Sequence, residues 1–197
     1  MKRRKNMKKT LSILFAVIIA MSALVSAGAI GLVNENNLQS NIASYMGYDE
    51  RKMQDFKAEK ITRNALDYYE VTFKYDGVGY HVGVNALGLV DTYSYNAKKV
   101  IIPKAEKNAC VSELNAKGYA LKEANTASSD AIFKAESFSK KDGVCYYYYD
   151  FLGTSAEWEV YVNAYTGSIA SSSHEDQNAF IMFFIRLFAK IAALFSF

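Results

Sequence analysis

Few residues in this chain have types and spacings that could do chemistry. Its 197 residues include only two histidines and two cysteines. His81 falls on the polar side of the alternating stretch Tyr80-His81-Val82-Gly83-Val84, with no recognisable partner set for general base work. His174 stands beside Glu175 and Asp176 after Ser171-Ser172-Ser173, a group that could touch a metal weakly but reads better as a solvated linker. Glu157 and Glu159 lie two apart and share a strand face, as the charged outer side of a sheet would. No His-Glu-x-x-His, Gly-x-Ser-x-Gly, P-loop or dinucleotide fingerprint is present. No catalytic, cofactor-binding or metal-ligating residue is assigned on this reading, and the chain is expected not to be an enzyme.

Two other residue types remain. Cys110 and Cys145 are candidates for one disulfide if the chain reaches an oxidising compartment; two buried free thiols are the alternative. The fifteen tyrosines are the one oddity of composition. In Tyr146 to Tyr149, strand parity sends Tyr147 and Tyr149 inward with Phe151, leaving Tyr146 and Tyr148 outward on the side shared by Tyr161. Such rings suit a protein interface, because an amphipathic aromatic is ordered at little entropic cost. Packing of one half of the chain on the other would use them equally well.

The elements that position these residues are organised around two similar stretches, Tyr80-His81-Val82-Gly83-Val84-Asn85-Ala86 and Trp158-Glu159-Val160-Tyr161-Val162-Asn163-Ala164. Four markers recur in order at a spacing of 77 to 78 residues: Gly47 with Asn125, Phe56 with Phe133, Tyr69 with Tyr147, and Tyr80 with Trp158. Phe56-Lys57-Ala58-Glu59 returns letter for letter as Phe133-Lys134-Ala135-Glu136. Asp76-Gly77 and Asp142-Gly143 are hairpin turns. Gly47 suits the end of a helix over Leu38, Ile42, Ala43 and Met46, and Ser112 suits the start of another over Leu114, Ala116, Ala120, Leu121 and Ala124. The fold expected is α+β: two repeated units, 34–100 and 104–173, each a helix plus a three-stranded antiparallel sheet. In this reading the third strand of the first unit turns at Leu87-Gly88 and resumes through Leu89-Val90 to Tyr93 and Tyr95, and that of the second turns at Tyr165-Thr166-Gly167. The only proline, Pro103, marks the boundary.

Both ends read as attachments. Residues 1–29 have the cationic start, apolar run and small-residue site of a signal peptide, with an uncleaved anchor as the alternative. Six of the 23 Lys and Arg residues lie in the first nine positions, so the remainder carries 17 bases against 20 acids, which excludes a nucleic-acid footprint. Residues 178–197 contain six phenylalanines and only two charges, Arg186 and Lys190, four apart on one helical face. They are expected to form an amphipathic helix in the membrane surface, with Phe184 and Phe188 towards the lipid and both cations snorkelling. Docking onto a repeat is the alternative.

The stretch Ser112-Glu113-Leu114-Asn115-Ala116-Lys117 through Ala120-Leu121-Lys122-Glu123-Ala124-Asn125, then three strands closing on Trp158-Glu159-Val160-Tyr161-Val162-Asn163-Ala164-Tyr165-Thr166-Gly167, resembles a PepSY domain. In that family a helix ending Ala-Leu-x-x-Ala-Gly precedes the sheet, whose last strand ends near Asp-Ala-x-Thr-Gly. Asn163 stands for the usual acid and Asn125 for the usual glycine; the first half keeps Asn85-Ala86 and Gly88 but loses the Thr-Gly pair. The resemblance implies a non-enzymatic binding module, exported to the outer face of the cell membrane or the envelope, that regulates or inhibits a protease there. A structural or sensor anchor partnering another membrane protein is the alternative. The expected partners are a protein and the membrane surface, with no nucleic acid and no cofactor.

Overall fold

The structure, a computed structural model, describes residues 35–63, 66–178 and 184–185. The expected signal peptide over 1–29 lies outside them, as do Arg186, Phe188 and Lys190 of the expected surface helix. Phe184 is helical and exposed. Among the described residues no helix is long and apolar enough to cross a membrane.

The chain runs from helix α1 (Glu35–Met46) through a 3-10 turn (Glu50–Lys52) into strands β1 (Gln54–Arg63), β2 (Leu66–Tyr75), β3 (Val78–Asn85) and β4 (Val90–Tyr95). Helix α2 (Glu113–Glu123) follows, then β5 (Ile132–Lys141), β6 (Val144–Leu152), β7 (Ala156–Asn163) and β8 (Ile169–Asp176). Both helices are too short to be stable alone and depend on what they bury. α1 buries Leu38, Ile42, Ala43 and Met46, whereas α2 buries Ala116, Ala120 and Leu121, with Ala124 just beyond it. Both stop the same way. Gly47 at φ +76° lets Tyr48 N–H reach the Ala43 carbonyl at 2.9 Å, and Asn125 at φ +45° lets Thr126 N–H reach the Leu121 carbonyl at 3.0 Å. These six-to-one bonds satisfy carbonyls that the helix end would orphan, and they need a residue that tolerates the left-handed region.

The expectation of two units, each with its own three-stranded sheet, does not hold. The strands form one eight-stranded antiparallel sheet in simple sequential order, β1 to β8. Two things overturn it. First, the turn that follows each Asn-Ala stretch leads into a separate fourth strand, β4 or β8. Asn85 Oδ1 accepts from the N–H groups of Leu87 (3.0 Å) and Leu89 (3.1 Å), and Gly88 at φ +80° completes the reversal into β4. Asn163 Oδ1 does the same for Tyr165 (2.9 Å) and Thr166 (3.1 Å), with Gly167 at φ +73°, so the serine stretch becomes edge strand β8 and His174 stacks on Trp158 at 4.6 Å. Second, β4 and β5 pair, through Tyr93 and Lys140.

That seam carries a single ladder pair, and aromatic packing closes it. A row of rings crosses it: Phe73 to Tyr80 (4.9 Å), Tyr80 to Tyr93 (6.3 Å), Tyr93 to Phe138 (6.4 Å) and Phe138 to Tyr147 (5.3 Å). The Tyr95 hydroxyl accepts from the backbone N–H of Phe138 at 2.9 Å and of Ile101 at 2.8 Å, and donates to the Lys99 carbonyl at 3.0 Å. Dividing the sheet here would expose these rings, so both helices share one continuous hydrophobic core on one face of the sheet.

Candidate protein-interaction face

The opposite face is covered by neither helix. Strand alternation delivers to it Glu59, Thr72, His81, Ser94, Tyr148 and Tyr161. Cys145, Tyr147, Tyr149 and Phe151, the odd-numbered residues of β6, are fully buried on the helix side. Tyr148 and Tyr161 are cross-strand partners whose ring centres lie 4.8 Å apart. Tyr161 is exposed, while Tyr146 and Tyr148 are half-buried. The Tyr148 hydroxyl donates to Glu159 Oε1 at 3.3 Å. Burial, then the Glu159 and Asp150 carboxylates, push that phenol up to about 12, so it is an O–H donor at any physiological pH.

The tyrosine pair sits in an acidic neighbourhood. Asp150 faces Glu159 across the β6–β7 ladder, and Glu157 follows one step along the face. Burial raises the Asp150 carboxyl above its ordinary value, and the two glutamates oppose the relief that Lys134 gives. Its Oδ1 is enclosed without a hydrogen-bond partner, while Lys134 pairs with Glu157. This half of the face can therefore accept hydrogen bonds and positive charge while offering aromatic surface.

In the other half, Tyr68 lies almost fully buried on this face. It rests across Gly83, where a Cβ would come within 1.9 Å of its hydroxyl, and contacts Thr92 Oγ1 at 3.3 Å. The Arg63 guanidinium sits 5.3 Å above the ring and pairs with Asp142 at 3.1 Å. Strands pack roughly 4.8 Å apart, so a flat sheet would hold β1 about 19 Å from β5, beyond the reach of that pair. The sheet therefore coils towards this face at the Arg63 end. His81 Nε2 stands 2.6 Å from Glu70 Oε2 in the middle of the face. The sequence reading did not single out Tyr68, Arg63 or Gly83. The available signal was the glycine in mid-strand, which marks a close approach by another group.

On the helix side, one buried carboxylate gathers partners from three places. Glu106, in the segment joining the two halves, accepts from Tyr45 of α1 (2.8 Å) and Lys140 of β5 (2.6 Å) on Oε1. Its Oε2 accepts from Tyr165, in the β7–β8 turn, at 2.9 Å. Burial alone would raise this carboxyl, but the Lys140 ammonium and the two phenols outweigh it and hold it below the ordinary range. Cys145 Sγ contacts the Tyr165 hydroxyl at 3.1 Å. Cys145 and Cys110 are free thiols, the first buried and the second half-buried. Among the described residues no group of three or more His, Cys, Asp and Glu side chains could hold a metal ion.

Residues 116–172, from within α2 into β8, match the PepSY family, described as peptidase propeptide and YPEB domain. No curated protein matches the sequence. Among solved structures, a protein described as a lipoprotein from Clostridium difficile 630 is 19% identical, with 64% of this chain and 84% of that chain covered at a TM-score of 0.32. The Bacillus megaterium YpeB C-terminal domain is 11% identical, covers 74% of this chain and 99% of its own, and has a TM-score of 0.31.

Proposed function

We propose that this chain, which carries a PepSY domain over residues 116–172, is an exported, non-catalytic binding module that regulates a protease at the cell envelope through the face of its sheet opposite α1 and α2. The observation that carries the reading is the Tyr148–Tyr161 pair in its acidic surround. Two aromatic rings held side by side by a sheet lose little entropy on docking, and carboxylates beside them select a partner with basic or N–H-rich surface. The contact supplies binding energy and orientation, with no covalent step.

The test is inhibition of a secreted metalloprotease of the thermolysin type by the purified chain, run beside a Tyr148→Ala/Tyr161→Ala variant of unchanged circular dichroism. Loss of two central aromatics from an interface weakens binding by about 2–4 kcal/mol, roughly 30- to 700-fold in the inhibition constant. Equal inhibition by both proteins removes the face from the mechanism, and no inhibition by either removes direct inhibition of that protease class.

A further inference from the structure

The Glu106 cluster contains two thiols that the proposed binding role does not use. Backbone geometry holds them together from both sides of one residue. Val111 N–H donates to the Ala164 carbonyl at 2.7 Å, and Ala164 N–H donates to the Cys145 carbonyl at 2.8 Å. The Tyr147 hydroxyl then ties the Val111 carbonyl to the sheet at 2.8 Å, and Cys110 N–H bonds the Glu106 carbonyl at 3.2 Å. The segment bearing Cys110 is thus laced to the strand bearing Cys145, which brings the two thiols into one cluster beside Tyr165.

We propose that Cys110 and Cys145 are a thiol–disulfide exchange site, in which Cys110 takes the first sulfur from a disulfide-bearing oxidant and Cys145 resolves it into an internal bridge. The two thiols differ in the way this order needs. Cys110 is half-exposed, and its contact with Cys145 holds it below the ordinary thiol range despite partial burial. Cys145 has no exposed surface, and the same contact together with burial pushes its thiol up, so it cannot meet an external disulfide first.

The Cys110 thiolate attacks an external disulfide R–S–S–R, the S–S bond breaks, and one R–S⁻ leaves carrying the proton that Cys110 gave up. Cys145 sulfur then attacks the Cys110 sulfur of the mixed disulfide. The second R–S⁻ departs and takes the Cys145 proton. Two protein thiols are oxidised, one external disulfide is reduced to two R–S–H, and no other reactant is required. The product staples the connecting segment to β6 beside Glu106.

The experiment uses the reduced full chain with oxidised glutathione as the probe, followed by intact mass and by denaturing gels without reductant. The expected wild-type product has lost two hydrogens, with neither a lasting glutathione adduct nor a protein dimer. Cys145→Ser accumulates one glutathione, on Cys110. Cys110→Ser stays unmodified until denatured. Oxidised wild type should melt on the order of 10 °C above reduced wild type, a difference absent from Cys110→Ser. Retention of both thiols, a disulfide-linked dimer, or glutathione on Cys145 of native Cys110→Ser as fast as on Cys110 of Cys145→Ser overturns the proposal. Alkylation rates of the two thiols in unmutated reduced protein give the same order independently, with Cys110 expected first and a reversed order counting against the site.

Discussion

The most demanding perturbation is Glu106→Gln. Glu106 is 7% exposed and the Lys140 side chain 12%, so solvent does little to screen their 2.6 Å pair. Neutralising the carboxylate leaves a buried ammonium without a counter-charge, which costs about 3–5 kcal/mol. Glutamine keeps one acceptor oxygen for three donors, Tyr45, Lys140 and Tyr165, and brings a donor of its own. The expected loss is about 4 kcal/mol, a large share of the roughly 5–15 kcal/mol that holds a domain folded. Urea unfolding followed by tryptophan and tyrosine emission measures it. Glu106→Gln/Lys140→Met removes both charges and should recover more than half of the loss. The pH dependence follows from the same pair. The folded carboxyl lies below the ordinary 4.5, so its contribution is complete above that value and disappears as the pH falls from 4.5 through the folded pKa. Glu106→Gln should flatten that acid limb. A loss below about 1 kcal/mol, or a double variant as unstable as the sum of the singles, refutes the reasoning.

Two further outcomes test the sheet itself. Gly83→Ala places a methyl group 1.9 Å from the Tyr68 hydroxyl and 2.3 Å from Thr92 Oγ1, so Tyr68 must swing off the face. About 1–3 kcal/mol of stability should be lost and the Tyr68 ring become reachable by nitration, whereas wild-type stability with a protected ring counts against that packing. Tyr95→Phe strips the acceptor from the N–H groups of Phe138 and Ile101, costing about 2 kcal/mol. Amide hydrogen exchange at Phe138 should quicken before exchange at Val82, and equal protection would mean that the seam does not depend on that hydroxyl.

What the sequence made legible was local. Asp76-Gly77 and Asp142-Gly143 could be read as hairpins because both residues of each turn take positive φ, which few residue types tolerate. Gly47 and Asn125 could be read as helix ends for the same reason. The fourth strand of each half escaped for different local reasons. β4 was read as the third strand resuming after the turn at Leu87-Gly88, because nothing local shows that Asn85 closes a full reversal there. β8 shows no alternation because it is an edge strand exposed almost throughout, so its serines need satisfy only the ladder with β7. The joining of the sheet was hidden more deeply. It rests on Tyr95 meeting Phe138 and on Tyr93 pairing with Lys140, contacts more than forty residues apart that no periodicity encodes. The Glu106 hub was invisible for the same reason, since its donors come from α1, β5 and the β7–β8 turn.

The abundance of tyrosine then has a structural cause that a reading of exposed rings alone misses. The segment between β4 and α2 belongs to no sheet ladder, yet much of it is packed against the core, and its carbonyls need donors. Phenols rising from the sheet supply them: Tyr95 to Lys99, Tyr93 to Ile101 and Tyr147 to Val111. Phenylalanine would fill the same core space and leave each of those oxygens unpaired, at about 1–3 kcal/mol apiece where burial is complete. Tyrosine thus acts here as a strut, with its ring in the core and its hydroxyl tethering the connection that makes one sheet of two halves. The same residue type on the outer face has no carbonyl to tether. Tyr161 leaves its ring on the surface, and that contrast in the use of one side chain separates the face packed under the helices from the one opposite.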